Sequence, residues 1–212
     1  GDHRDLHSFP TRRLFRSLAQ AYLALGKKAE AVKAADRGIE LNDREEILFA
    51  AGGVYCDAGQ EDKARRAASE LGKRVQDIHL AYAKLLGGYL SLSRKDTANA
   101  LKLFDEAQGY ADTWLGRFAL GRAYLEAGAF EEAHAEFEKC EKRRGEALSV
   151  FLNDLPSCRF LDSLDYYVGR TLEGLGKSAA AKEAYAKFLK IKEKADSGQA
   201  LVEDAKKRLG SI

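Results

Sequence analysis

The sequence has little proline, few cysteines and no long apolar run, and each of these absences excludes a class of protein. Two prolines among 212 residues favour helices over strands and loops. Three cysteines without CxxC spacing indicate neither a disulfide framework nor a zinc site. Because no stretch of about 18 uncharged apolar residues occurs, no segment is predicted to span a membrane. With 45% hydrophobic and 32% charged residues, the composition is that of a folded chain.

Methionine is absent as well, even at position 1, so we expect that this is not a complete natural reading frame. The opening segment, Gly1–Ser17, resembles the translation of a common sequencing adapter. We expect it to be non-native and disordered; a natural basic N-terminal arm is the alternative interpretation. The true start, with any targeting segment, would then be lost. The compartment therefore stays open, cytoplasmic or, for a membrane-tethered parent, periplasmic.

The charge balance argues against nucleic acid as a partner. The whole chain has 35 basic and 33 acidic residues. Four of these arginines and two aspartates fall in Gly1–Ser17, which leaves 31 residues of each sign in the remainder. A neutral body exerts no long-range attraction on phosphate backbones. We therefore expect no nucleic-acid partner, and no membrane contact by this segment.

A repeated pattern organises the chain after the opening segment. The stretch LAQAYLALGKKAEAV at 18–32 aligns without a gap to LGRAYLEAGAFEEAH at 120–134. The same pattern fits residues 51–65, 168–182 and, more weakly, 87–101, where Lys95 replaces a glycine. One small position, which we call the marker residue, identifies each copy: Ala19, Gly52, Gly88, Gly121 and Gly169.

Each copy has the residues of a helical hairpin. In the fourth copy, Leu120, Ala123 and Tyr124 share one helical stripe, and Gly128 can end that helix in the left-handed conformation. The second helix carries its apolar residues at steps of three and four: Phe130, Ala133, Phe137 and Cys140. One hairpin cannot bury its apolar face alone, so successive hairpins must stack. An irregular helical bundle is the alternative, and it does not explain the repeated pattern.

The pattern resembles that of the tetratricopeptide repeat family, in which Leu-Gly, Tyr, Gly, Ala and Phe recur about every 34 residues. The resemblance implies an all-α, right-handed superhelix (an α-solenoid) of about five helix-turn-helix repeats with a C-terminal capping helix. We place the repeats near residues 12–44, 45–78, 79–112, 113–141 and 162–195. The insertion would occupy 142–161, the array as a whole 18–197, and the capping helix with its tail 198–212.

The insertion allows two interpretations. It either specialises one face for binding or packs its apolar residues onto the fourth repeat. Three segments here resemble the C-terminal repeat region of bacterial eukaryotic-like serine/threonine protein kinases: Arg143–Ala147, Phe151–Pro156 and Tyr166–Gly176. This resemblance implies a sensory or docking region whose kinase domain lies outside this sequence, because none of the kinase motifs is present in it.

No catalytic chemistry is predicted, and no cofactor or metal. His79 and His134 have no second ligand at metal-binding spacing, so we interpret them as surface or packing residues. Gly176, Lys177 and Ser178 imitate the end of a phosphate-binding loop, but Thr171 stands where that loop requires its first glycine. The fragment is therefore predicted not to be an enzyme.

Binding is the function that remains. First helices of such repeats line a concave groove, for which we predict these residues: Phe49, Leu85, Tyr89, Phe118, Arg122, Leu125, Tyr166, Tyr167 and Arg170. Arg122 and Arg170 each follow a marker glycine, and two guanidiniums among aromatic rings suit an anionic peptide. Alternatively, they pair with Glu126 and Glu173 along their own helices. We therefore predict a non-catalytic scaffold for a protein or peptide segment, with self-association or a purely structural spacer as other options.

Overall fold

The protein is described by a computed structural model over residues 8–148, 157–194 and 199–212, and within these ranges every regular element is an α-helix. The chain divides into two compact units, Gly1–Ala111 and Asp112–Ile212. The first contains α1 (Ser8–Ala24), α2 (Lys28–Leu41), α3 (Glu45–Ala58), α4 (Glu61–Gly72), α5 (Asp77–Ser93) and α6 (Thr97–Tyr110). The second contains α7 (Trp114–Glu126), α8 (Phe130–Lys142), α9 (Arg144–Leu148), α10 (Cys158–Gly174), α11 (Ser178–Ile191) and α12 (Ala200–Ser211).

The N-terminal unit is a stack of three helical hairpins in chain order. Helices α1 and α2 form the first hairpin, α3 and α4 the second, and α5 and α6 the third. Helix α3 packs against both α1 and α5, so each hairpin covers the apolar side of its neighbour. Alanines Ala31 and Ala64 are completely buried in this core, where their small side chains allow the helices to approach closely.

The C-terminal unit is built from two hairpins and two further helices. Helix α7 pairs with α8, and α10 pairs with α11. Helix α10 also packs against α8 and the short α9, and α12 packs against α11 and α10. Phe118 lies at the centre of an aromatic cluster, and its ring centroid is 5.3 Å from Trp114, 5.4 Å from Tyr167 and 6.0 Å from Phe137.

Three marker glycines, Gly88, Gly121 and Gly169, lie where the two helices of a hairpin touch, whereas Gly52 lies against Leu86 of the next hairpin. A Cβ at Gly121 would lie 2.6 Å from Cε1 of Phe137, and a Cβ at Gly169 would lie 2.7 Å from Cε1 of Tyr185. Phe137 and Tyr185 are both completely buried. The predicted role of the small residue is thereby confirmed, since a side chain here would displace the aromatic ring of the facing helix.

The turns inside the hairpins use the left-handed backbone conformation. Gly26, Gly59, Gly128 and Gly176 have φ angles of 72°, 76°, 75° and 71°. Lys95 takes the same position in the third hairpin with φ at 62°, and it is the non-glycine residue with positive φ among those described. The helix end predicted at Gly128 is thus confirmed, and the substitution at Lys95 forces a lysine into a glycine conformation.

The structure departs from the sequence prediction at the chain's start. Helix α1 begins at Ser8, so it includes residues 8–17 of the opening segment, for which the sequence had predicted disorder. Phe15 of α1 lies beside Gly38 of α2, its Cβ 3.7 Å from where a Cβ on that glycine would stand. Apolar periodicity continues upstream of Leu18, which the adapter interpretation left out of account. Residues 1–7 lie outside the described part.

The predicted insertion is described only in part. Its beginning forms α9 (Arg144–Leu148), and α10 already begins at Cys158, four residues before the predicted fifth repeat. Residues 149–156 lie outside the described residues, and with them the predicted packing of Phe151, Leu152 and Leu155. The repeat and insertion boundaries stay predictions. Among the residues that the structure describes, no helix combines the length and apolarity needed to cross a membrane.

Candidate partner-binding surface

Burial removes five of the nine predicted groove residues from any accessible surface. These are Phe49, Leu85, Phe118, Leu125 and Tyr166, with exposed fractions between 0% and 4%. Four of them stand three residues before a marker glycine, and at that position a side chain packs into the stack. Burying an aromatic or leucine side chain contributes about 1.5–3 kcal/mol, so these residues stabilise the fold instead of facing a partner.

In the N-terminal unit the aromatic residues predicted for the groove serve packing. The ring of Phe49 in α3 lies 4.9 Å from that of Tyr82 in α5, which joins two successive hairpins. Tyr89 is half-buried and meets Phe104 edge to face at 5.4 Å. Phe104 in turn lies against the marker Gly88, and Tyr89 also packs against the core cluster that contains Val54 and Tyr55 of the second hairpin.

The C-terminal unit retains an accessible pair of predicted residues. Arg122 in α7 and Tyr167 in α10 are both half-buried. The guanidinium carbon of Arg122 lies 5.3 Å from the centroid of the Tyr167 ring. This is a cation–π contact, in which the face of the ring holds the guanidinium in position. The two helices therefore present a fixed positive group at their shared surface.

Arg170, predicted as the second half of an anion clamp, is engaged within the chain. Its Nη1 donates a hydrogen bond of 3.3 Å to the hydroxyl of Tyr166 on the same helix. The Tyr166 hydroxyl in turn donates to Oδ2 of Asp204 in α12 at 2.7 Å. The predicted site thus already holds a carboxylate, and that carboxylate belongs to the C-terminal helix.

A second set of polar contacts ties α12 to the same hairpin. Arg208 donates from Nε to Asp204 at 2.5 Å and from Nη1 to both carboxylate oxygens of Glu173 at 3.1 Å. Tyr185 of α11 donates its hydroxyl hydrogen to Glu173 at 2.6 Å. The carboxylates of Asp204 and Glu173 thus each accept hydrogen bonds from a tyrosine and from Arg208. The two negative charges are balanced by the positive charges of Arg170 and Arg208.

The ionisation of Asp204 reflects this environment. Burial by itself would raise its pKa, but the hydrogen bonds from Tyr166 and Arg208, with the positive charge of Arg170, leave the pKa lowered. Burial raises the pKa of Tyr166, and its bond to Asp204 adds to that rise against the opposing effect of Arg170. At neutral pH the site therefore contains an ionised carboxylate and a neutral tyrosine donor.

The α12 side of this network was not predicted from the sequence. Residues 198–212 were predicted only as a capping helix with its tail, and no binding residue was predicted there. The helix is indeed present, and Val202 and Ala205 are buried. The spacing of Asp204 and Arg208, one turn apart on that helix, indicates an intrahelical pair. Both side chains also contact α10, and this depends on how α12 packs. The packing of α12 cannot be predicted from the sequence pattern alone.

Groups with potential for chemistry elsewhere are packed or paired. Burial raises the pKa of the Cys56 and Cys140 thiols to about 12, so neither is a nucleophile at neutral pH. His79 is buried, with Nε2 at 3.7 Å from Oε1 of Glu45. Arg143, between α8 and α9, forms ion pairs with Asp112 and Glu146. Within the described ranges, no three metal-ligating side chains form a cluster.

Comparison with known proteins agrees with this geometry. A family profile described as tetratricopeptide repeat matches residues 17–44, 116–146 and 168–194. These segments contain the first, fourth and fifth copies of the repeated pattern. The second and third copies form the hairpins α3–α4 and α5–α6. No curated protein sequence matches the chain.

Solved structures share the fold at low sequence identity. A thermophilic TPR protein of Thermus thermophilus is 17% identical, with a TM-score of 0.62 over 93% of this chain and 98% of its own. YrrB, a TPR protein described as having an unusual peptide-binding site, is 18% identical over 91% of this chain and 90% of its own, with a TM-score of 0.50. A Podospora anserina putative kinesin light chain with nearly identical TPR-like repeats is 16% identical over 89% and 99%, with a TM-score of 0.51.

The fold and the repeated pattern together define the class of this protein. It is an all-α helical-repeat protein of the α-solenoid class, as predicted. Within it, residues 17–44, 116–146 and 168–194 resemble tetratricopeptide repeats.

Proposed function

We propose that the chain is a non-catalytic scaffold that binds a protein or peptide segment, and that the Arg122–Tyr167 surface of its C-terminal unit contacts that segment. The observation that carries the proposal is the cation–π contact at 5.3 Å between two half-buried side chains of successive hairpins. Arginine and tyrosine are the residue types that most often anchor protein interfaces.

The chemistry of this surface suits an acidic or carboxylate-bearing segment. A guanidinium is planar and can donate two parallel hydrogen bonds to a carboxylate, and the ring face beside it fixes its orientation. The adjoining Tyr167 ring offers apolar contact area at little cost in side-chain entropy. Such a surface favours a peptide with an acidic residue next to an apolar one.

The fold supports this proposal at the level of class. YrrB shares the helical-repeat fold, and its structure is described as containing a peptide-binding site. At 18% identity that likeness concerns the fold alone, so the residues that bind in this chain are argued from its own contacts.

The experiment keeps Arg122 and replaces Glu126, an exposed residue one turn further along α7, with the photo-reactive residue p-benzoylphenylalanine. The full chain is then irradiated in an extract of its source cells. Lys142 at the end of α8 is the control position, since its side chain is 76% exposed and its ion pair with Glu138 is long at 3.9 Å. We expect one set of cross-linked peptides that is specific to position 126. The proposal is overturned if position 126 yields nothing, or yields the same peptides as position 142.

A further inference from the structure

The contact between α12 and α10 is chemically unlike the contact between successive hairpins. Tyr166 corresponds to Phe118 in the fourth hairpin, since each stands three residues before its marker glycine. Glu173 likewise corresponds to Leu125, four residues after the marker. Phe118 packs against α10 through the rings of Phe160 and Tyr167. At the same positions α10 presents a hydroxyl and a carboxylate to α12.

Helix α12 is anchored by apolar and by polar contacts. Its residues Val202 and Ala205 are buried, Leu201 and Leu209 are partly buried, and Ile212 directly after the helix is partly buried as well. Hydrogen bonds also hold α12 against α10. Asp204 accepts one from Tyr166, and Arg208 donates to both carboxylate oxygens of Glu173. Interfaces that associate and dissociate are more polar than permanent ones. The composition of this contact is therefore that of a reversible one.

We propose that Tyr166, Arg170, Glu173 and Tyr185 form an acceptor face for an amphipathic helix of a partner protein, and that α12 covers this face from within the chain. The partner helix would carry a carboxylate and a guanidinium one turn apart, as Asp204 and Arg208 are placed in α12. This inference deepens the proposed function and rests on it in one respect, that the chain binds protein segments.

The acceptor face selects this charge order by complementarity. Tyr166 and Arg170 provide donors at one end, and Glu173, which already accepts from Tyr185, provides an acceptor at the other. A helix with the two charges exchanged would place its carboxylate against Glu173 and its guanidinium against Arg170. Such like-charge contacts oppose binding, so the face distinguishes a helix of α12's polarity from its reverse.

Because α12 is part of the same chain as the acceptor face, it competes strongly with a free partner helix for that face. A segment joined to its binding site by a short linker has an effective concentration in the millimolar range. A free helix of equal intrinsic affinity therefore binds the intact protein poorly, and binds well once α12 is displaced. Arg122 lies outside the acceptor face, so binding at the Arg122–Tyr167 surface does not depend on this displacement.

The test uses the full chain and a labelled peptide with the sequence of residues 199–212. In one variant, Val202→Asp and Ala205→Asp together release α12 by placing charges in its buried side. Fluorescence anisotropy then compares the peptide's affinity for the wild-type and released chains. We expect at least a roughly tenfold lower Kd for the released chain, because the tethered competitor is gone. A matched peptide with Asp204→Asn and Arg208→Gln, which has the same net charge, should bind the released chain at least about tenfold more weakly.

A second substitution isolates the acceptor face. Tyr166→Phe in the released chain keeps the ring and removes the hydroxyl that donates to Asp204, and it should raise the Kd of the unmodified peptide about three- to tenfold. The inference is overturned if the peptide binds wild-type and released chains equally, if the two peptides bind alike, or if Tyr166→Phe leaves the Kd unchanged. Loss of cooperative unfolding in the released chain also overturns it, since α12 would then be an indispensable part of the fold. If these binding tests fail while position 126 gives specific cross-links, the acceptor face is rejected and the proposed function stands.

Discussion

Lys95 occupies a backbone position that the other hairpins give to glycine. Its φ angle is 62°, against 71° to 76° for the four turn glycines. A side chain costs about 1 kcal/mol in this conformation. We expect Lys95→Gly to raise the free energy of unfolding by about 1 kcal/mol, measured by urea denaturation.

The matched control for Lys95 is Gly128→Ala, which introduces a Cβ at φ 75° in the fourth hairpin. Nothing lies within 4 Å of that Cβ, so steric contact does not contribute and the backbone effect is isolated. It should destabilise by about 1 kcal/mol. Equal stability of Lys95→Gly and the wild type would show that the turn is not strained.

The buried cysteines allow a direct test of burial. Because burial raises the pKa of Cys56 and Cys140 to about 12, we expect neither thiol to react with a thiol-specific reagent near neutral pH while the chain is folded. Both should react once the chain is unfolded in urea. The assay is made in a Cys158→Ser background so that it counts these two thiols alone. Rapid reaction of the folded chain would contradict the burial.

The ionisation of Asp112 makes the free energy of unfolding depend on pH in the acidic range. Its hydrogen bond from Arg117, followed by that from Arg143, lowers its pKa from 3.8 to about 2. A lowered folded-state pKa adds stability above the ordinary aspartate pKa, and this stability is lost as the pH falls towards about 2. We expect Asp112→Asn to be less stable than the wild type at neutral pH, by urea denaturation. The difference should shrink between about pH 4 and 2; a constant difference would contradict the assignment.

At the scale of the elements, a marker glycine determines how closely its helix can approach the helix that packs against it. A Cβ on Gly121 would lie 2.6 Å from the buried Phe137 ring. We expect Gly121→Ala to lower the free energy of unfolding by about 1–3 kcal/mol, because Phe137 has no room to move. Gly109→Ala in α6 is the control, since no atom lies within 4 Å of its Cβ. It should be neutral or slightly stabilising; equal losses for both variants would contradict the close approach.

The helices and their pairing could be predicted from the sequence because they depend on local periodicity and on the small marker residues. Which residues of the first helix of a hairpin are exposed could not be predicted from the sequence. Phe118 and Arg122 lie one turn apart on α7, yet Phe118 is buried and Arg122 is half-buried. The difference depends on how α10 crosses α7, which is a property of packing that no single-helix pattern contains.

Ion pairs between the helices of a hairpin were likewise beyond the sequence pattern. Lys84 pairs with Glu106 at 2.5 Å in the third hairpin, and Asp165 with Lys187 at 2.9 Å in the fifth. The two pairs stand at the same distance from their marker glycines, with the charges exchanged. Opposite charges at such distant positions become recognisable only once the hairpin geometry is known.

At the scale of the whole molecule, the repeated pattern explains the fold but only part of the function. Each unit has its own buried core, with Val54 and Tyr55 in the N-terminal one and Phe118 and Phe137 in the C-terminal one. Five of nine predicted binding residues contribute to such packing instead of a surface. The kinase-tail interpretation, self-association and the spacer role stay predictions, since they concern sequence or partners beyond this chain.

The most direct test of the account is the affinity of a partner peptide, identified by cross-linking at position 126, for wild-type and Arg122→Glu chains. Isothermal titration calorimetry should show at least about a tenfold higher Kd for Arg122→Glu, because a repelling carboxylate replaces the guanidinium. Lys142→Glu, the same charge change at an exposed position of α8, should leave the Kd unchanged. An unaltered Kd for Arg122→Glu, in a chain that unfolds at the wild-type temperature, would contradict the claim that this surface binds the partner.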